Sequence, residues 1–169
     1  MRTYVQDGHN AYPALALLAV CAATAAGGQA TLNGLVIKAV AEVEIRSIQD
    51  GRETVKLAPA NRVVPGDQVI YTLEIRNTGA AAVHAPTVTH PIPAHMAYVA
   101  DSATGPGAEM SYSVDGGHTF DRPENLQAVD AEGHLGEAKA QDYTHIRWKL
   151  KNTLKSNSVA FARFRAIVK

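Results

Sequence analysis

The stretch RVVPGDQVIYTLEIRNTG, residues 62–79, decides the fold class of this chain. Val69, Tyr71, Leu73 and Ile75 fall on one side of an extended segment, and Thr72, Glu74 and Arg76 on the other. That is the period of two expected of a strand with one face buried and one wet. Both ends carry turn chemistry. Pro65-Gly66-Asp67 suits a tight turn entering the strand, and Asn77-Thr78-Gly79 supplies residues tolerant of positive φ at its exit.

The same period recurs along the chain. In VIKAVAEVEIR (36–46), Ile37, Ala39, Ala41, Val43 and Ile45 alternate with Lys38, Glu42, Glu44 and Arg46. THIRWKLK (144–151) opposes Ile146, Trp148 and Leu150 to His145, Arg147 and Lys149. The final run, VAFARFRAIVK (159–169), turns Ala160, Ala162, Phe164, Ala166 and Val168 inward and Arg163 and Arg165 outward. Asp115-Gly116-Gly117, between MSYSV and HTF, is a hairpin signal. Residues 121–142 are irregular, with one short strand expected around Leu126–Val129, and Gly136 argues against a helix in HLGEAKA. No helical period is sustained. The expectation is an all-β, antiparallel β-sandwich of about seven to nine strands.

Composition agrees with one globular core. Of 169 residues, 46% are hydrophobic and 19% charged, which excludes disordered and collagenous classes. Sixteen Lys and Arg balance sixteen Asp and Glu, so no long-range field draws in nucleic acid or an acidic surface. No basic and aromatic stretch suited to stacking bases is present, and no nucleic-acid partner is expected.

The first thirty residues differ from the rest. ALALLAVCAATAA (14–26) holds no charge, follows Arg2, and runs into Gly28 and Ala30, small residues where a signal peptidase cuts. Residues 1–30 are therefore read as a secretory signal and 31–169 as a single domain. The apolar run is short of the roughly 20 residues that span a bilayer, so no integral membrane segment is expected after cleavage. LAVC resembles a lipobox, which makes lipidation of Cys21 an alternative, although Val20 is large for its position. Cys21 is the only cysteine. Cleavage leaves a domain without disulfide, thiolate nucleophile or thiolate metal ligand.

RVVPGDQVIYTLEIRNTGAAAVHAPTVTHPIP, YVADSATGPGAEMSYSVDGGHTF and DYTHIRWKLKNTL, in that order, resemble the bacterial and archaeal conserved-repeat surface domain, catalogued as domain of unknown function eleven. The resemblance runs from about residue 35 to the C-terminus. It implies an immunoglobulin-like β-sandwich in an exported protein of a surface or adhesive assembly, and no catalytic residues. His90 stands where such strands usually carry Asp, His95 where Gly is usual, and LKSNS (154–158) replaces a Pro-Gly turn. Asn157 is suited to the left-handed conformation there.

Three clusters hold residue types capable of chemistry. His84, His90 and His95, with Met96 as a soft ligand, suggest a metal site. With residues 83–90 as one strand, His84 and His90 lie about 20 Å apart at ~3.3 Å per residue, leaving His90 with His95 as the local pair. Ser113, Asp115 and His118 superficially suggest a triad, but strand neighbours diverge. Asp67 and Asp142 are candidate calcium ligands without a supporting motif. No GxSxG elbow occurs. Neither catalytic residues, resident metal nor cofactor is assigned. The functional expectation is an exported, non-catalytic structural or interaction module, at the cell surface or outside the cell, with the periplasm as the alternative. Its partners are copies of itself or other surface proteins, reached by edge-strand pairing or by exchange of residues 31–36 as an arm hinged at Gly34, extending to filaments. A metal-binding module using His90 and His95 is the alternative.

Overall fold

A computed structural model describes residues 29–169, apart from 33, 50, 51 and 131. The expected signal segment and Cys21 therefore lie outside the described residues, save that Gln29 and Ala30 open the first strand. Among the described residues there are eleven strands: β1 (Gln29–Leu32), β2 (Leu35–Gln49), β3 (Arg52–Pro59), β4 (Gln68–Asn77), β5 (Thr87–Pro91), β6 (Met96–Tyr98), β7 (Ala108–Ser113), β8 (Gln127–Val129), β9 (Leu135–Glu137), β10 (His145–Leu150) and β11 (Val159–Val168). Two single-turn 3-10 helices, Pro123–Asn125 and Ala140–Asp142, flank the β8–β9 ribbon. No described helix is long and apolar enough to cross a membrane.

Every ladder is antiparallel. The larger sheet runs β1-β2-β4-β11-β6, with β3 also on β2, and the smaller runs β5-β10-β7. Those nine strands form the expected sandwich, while β8 and β9 form a separate ribbon in the excursion after residue 121. The inward sets of β4, β10 and β11 are those the alternation names: Val69, Leu73 and Ile75 meet Ile146, Trp148 and Leu150, with Ala162, Phe164 and Ala166 beside them, all nearly inaccessible. Aromatic rings tie the layers together. Phe164 stacks on Tyr71 at 4.8 Å between centroids and lies 6.1 Å from Trp148 of the opposite sheet. Tyr98 and Tyr112 join the sheets a second time through hydroxyls 3.1 Å apart, and Tyr143 stacks on Tyr112 at 4.7 Å.

The turns serve as the sequence implies. Gly66, at φ +96°, lets Pro65-Gly66-Asp67 fold back so that Gly66 N–H donates to Val168 O and Val168 N–H to Asp67 O. Asn157 adopts φ +59°, the left-handed conformation anticipated for it. The strand expected from residue 83 starts only at Thr87. Ala85 takes φ +45°, and Val83 makes an isolated bridge to Leu154. Residues 31–36, expected as a free or exchanged arm, lie folded on their own chain: Thr31 pairs with Val36 and Leu32 with Leu35, with Gly34 at φ +80° between them. A cut after Ala30 would fall within β1.

Asn77 closes the end of the sandwich opposite the Pro65 turn. It is fully buried, yet every polar group of its amide is used. Nδ2 donates to Ala81 O and Leu154 O, both at 2.9 Å, and Oδ1 accepts from Gly79 N–H at 3.0 Å. Its backbone bonds Ser158 and Asn157. One side chain thus fixes two loops far apart in sequence. Asn77→Ala leaves two carbonyls and an amide without partners in a dry site, so a loss of about 3 kcal/mol is expected, read as a lower urea midpoint in chemical unfolding.

Candidate interaction edge

The feature that sequence reasoning missed is the second half of β2 with β3. β2 is fifteen residues long. Its first half, Leu35–Glu42, pairs with β4, and its second, Glu42–Gln49, pairs with β3. Glu42 has a partner on each side, Pro59 and Ile70, so β3 lies along the edge opposite β4, following β1. Past Val43 no described residue of the ribbon is buried, and from Glu44 to Gln49 it extends about 17 Å at ~3.3 Å per residue.

Its side chains are unusual for a wet ribbon. Ile48 is 79% exposed, Ile45 52%, Val55 51% and Leu57 42%. Direct cross-strand partners share a face, so Ile48 and Glu53, Arg46 and Val55, and Glu44 and Leu57 lie on one side. Ile45, Lys56, Ser47 and Thr54 lie on the other, where the Ser47 and Thr54 hydroxyls are 2.8 Å apart. Among the described residues no strand pairs with the outer edge of β3. Asp50-Gly51, between the alternating runs, was the sequence signal for this hairpin.

Charges anchor the base of the ribbon. Arg165 on β11 reaches across β4 to Glu44 on β2, with Nη2 2.8 Å from Oε1, and its Nη1 donates to Gln68. Ile70, directly between Arg165 and Glu42 in the ladder, is 1% exposed although it belongs to the outer face. The hydrogen bond from Arg165, then its charge and that of Arg46, holds the Glu44 carboxyl below its usual range. Arg46 also bonds Glu53 at 3.2 Å. Around the open cleft between Arg46, Arg62, Asp67 and Arg165, the Arg165–Glu44–Arg46 set braces the base of the ribbon, and Asp67 accepts from Val64 N–H.

The histidines are dispersed. His90 shares the inward parity of Val88 and faces the core, its ring 5.7 Å from Phe164 and 6.3 Å from Tyr71. Its Nδ1–H donates to Pro91 O at 2.7 Å. His95 is exposed, Met96 is buried in the core, and His84 bonds Thr153 Oγ1 at 3.0 Å. Among the described residues no three His, Cys, Asp or Glu side chains gather as a metal set. Asp67 and Asp142 each accept from a nearby backbone amide, Val64 and Lys139, in separate turns.

Ser113 and Asp115 do meet, contrary to the divergence expected of strand neighbours, because β7 ends at Ser113 and Asp115 already lies in the turn. Ser113 Oγ donates to Asp115 Oδ1 at 2.7 Å, and Thr119 Oγ1 to Oδ2 at 2.6 Å. Those hydroxyls and the backbone amides of Thr119 and His118 hold the carboxyl far below its ordinary range. His118 contributes its backbone N–H to this network. The outward row on β10 is partly engaged as well: Arg147 lies 3.5 Å over the Phe120 ring, and the His145 ring covers Gly117.

No family model, curated protein or solved structure matches the chain.

Burial holds the His90 imidazole below its usual range, with the Pro91 carbonyl opposing and His145 adding to the shift. His145 is lowered too, by burial, against the pull of Asp115. The unfolded chain, with imidazoles near 6.5, therefore binds more protons than the folded one between the depressed values and about 6.5. Stability is fully present above that window and falls as pH drops through it. Urea midpoints are expected to decline from pH 7.5 to pH 5, and His90→Gln to flatten the slope, leaving the part due to His145. Calorimetric titration with zinc or copper is expected to show nothing tighter than millimolar.

Proposed function

We propose that this chain is an exported, non-catalytic structural or interaction module of the cell surface, working through self-assembly or adhesion at its sheet edges. The observation that carries the proposal is the β2–β3 ribbon: it runs on past the end of β4, exposes Ile45, Ile48, Val55 and Leu57, and offers a strand edge that no described strand pairs with. Ile48, Val55 and Leu57 share one face, exposed apolar groups gathered on one face mark contact sites, and an unpaired edge is a template for another strand. A two-stranded ribbon is marginal alone in water, so association adds stability where the chain itself provides least.

Two sequence features support the same reading: the apolar leader before Ala30, and the resemblance to a conserved-repeat surface domain. Location outside the cell or on its surface follows from the leader, with the periplasm as the alternative. Exchange of residues 31–36 is a second route to assembly, in which Thr31 and Leu32 of one copy pair with Val36 and Leu35 of another, and repetition head to tail builds a filament. Sedimentation velocity of the purified chain from low to high micromolar concentration is expected to show reversible association that survives moderate salt, since apolar contact and backbone pairing carry it. A species that stays monomeric throughout overturns the self-assembly reading.

A further inference from the structure

We infer that β3 is the self-pairing edge of this protein, and that two copies join by antiparallel β3–β3 pairing about a twofold axis at Val55. This rests on the assembly reading above and specifies its contact. The hydrogen-bond alternation fixes which groups are available. Ala60 N–H donates to Ala41 O in register with the β2–β3 ladder, so residues 52, 54, 56 and 58 turn their N–H and C=O toward β2. Glu53, Val55 and Leu57 turn theirs to the free edge. Pro59, which has no N–H, ends the usable edge.

Charge then selects the register. A twofold axis perpendicular to the sheet brings side chains of the same face together, so odd residues oppose odd and even oppose even. With Val55 opposite Val55 of the second copy, Glu53 meets Leu57 and Thr54 meets Lys56, and no like charges are directly opposed. Sliding by one step in one direction sets Lys56 against Lys56. The opposite step sets Arg52 against Lys56. Only the central register uses every free N–H and C=O of Glu53, Val55 and Leu57 without opposing like charges.

The second copy is favoured over a foreign strand because this edge complements itself. Pairing converts each two-stranded ribbon into half of a four-stranded sheet and gathers the exposed Val55 and Leu57 of both copies on one face. The contact is isologous and closes at two copies. A filament then requires another contact in addition, such as the exchange of residues 31–36.

Two substitutions test the edge with little effect on the fold. Val55→Pro removes an N–H that points away from β2, and should weaken dimerisation at least tenfold while far-UV circular dichroism and the urea midpoint stay close to wild type. Val55→Cys in a Cys21→Ser background should give a disulfide-linked dimer on mild oxidation, since paired Cα atoms across such a ladder are about 5.5 Å apart. Leu57→Cys in the same background should not, because Leu57 faces Glu53 of the other copy. If Val55→Pro also loses its fold, the cysteine pair alone decides. Wild-type association with no Val55→Cys cross-link, or an equal one at Leu57→Cys, overturns the β3 contact and leaves the assembly reading standing. A wild-type chain that never associates overturns both.

Discussion

The ring of Phe164 is the contact on which the rest of the sandwich depends. It stacks on Tyr71 of the neighbouring strand and approaches Trp148, His90 and Tyr98 from other parts of the fold. A strand that presents a flat ring at this position must keep β4 in register beside it, because a slip of one residue would set Ile70 or Thr72 opposite Phe164 and turn the Tyr71 ring to the outer face. The register of β4 in turn places Asn77 at the far end of the sandwich and Ile70 beneath the brace of Arg165. Packing in the middle therefore fixes the polar network at one end and the departure of the ribbon at the other.

What was legible in the sequence follows from that dependence. β4, β10 and β11 bury one face completely, so their period of two stands out, and the turns at Gly66 and Asn157 carry residues chosen for their backbone angles. β3 was not legible by the same test. RETVKLAP buries nothing deeply, so its apolar residues answer to no core of their own chain, and Val55 and Leu57 lie on the face opposite to Ile45. Only the Asp50-Gly51 pair announced it. His90 is ambiguous for a related reason: a polar residue at the end of a strand suggests solvent, while parity with Val88 decides that it points inward. Ile45 shows the converse, an alternating apolar residue that lies beyond the end of the core.

Electrostatics here organises position more than it recognises anything. Glu44 is shared by Arg165 and Arg46, and Asp115 is saturated by hydroxyls and amides of its own turn. Exposed pairs of this kind contribute little stability each, but the Arg165 side chain spans three strands and sets the direction in which β2 continues. The apolar groups on the ribbon have no such internal satisfaction, which is why the interaction hypothesis attaches to them and not to the charged cleft.

The single tryptophan carries a practical consequence. Trp148 is fully buried, its indole N–H has no acceptor among the described residues, and Gly105 leaves just enough room for the ring edge, a Cβ there lying 3.1 Å from Cδ1. Its fluorescence therefore originates from a dry environment between the sheets, on the sheet that does not carry the ribbon. An emission maximum at short wavelength that does not move with protein concentration reports on the integrity of the sandwich alone, which provides a built-in optical channel for core integrity, separate from whatever happens at the edge.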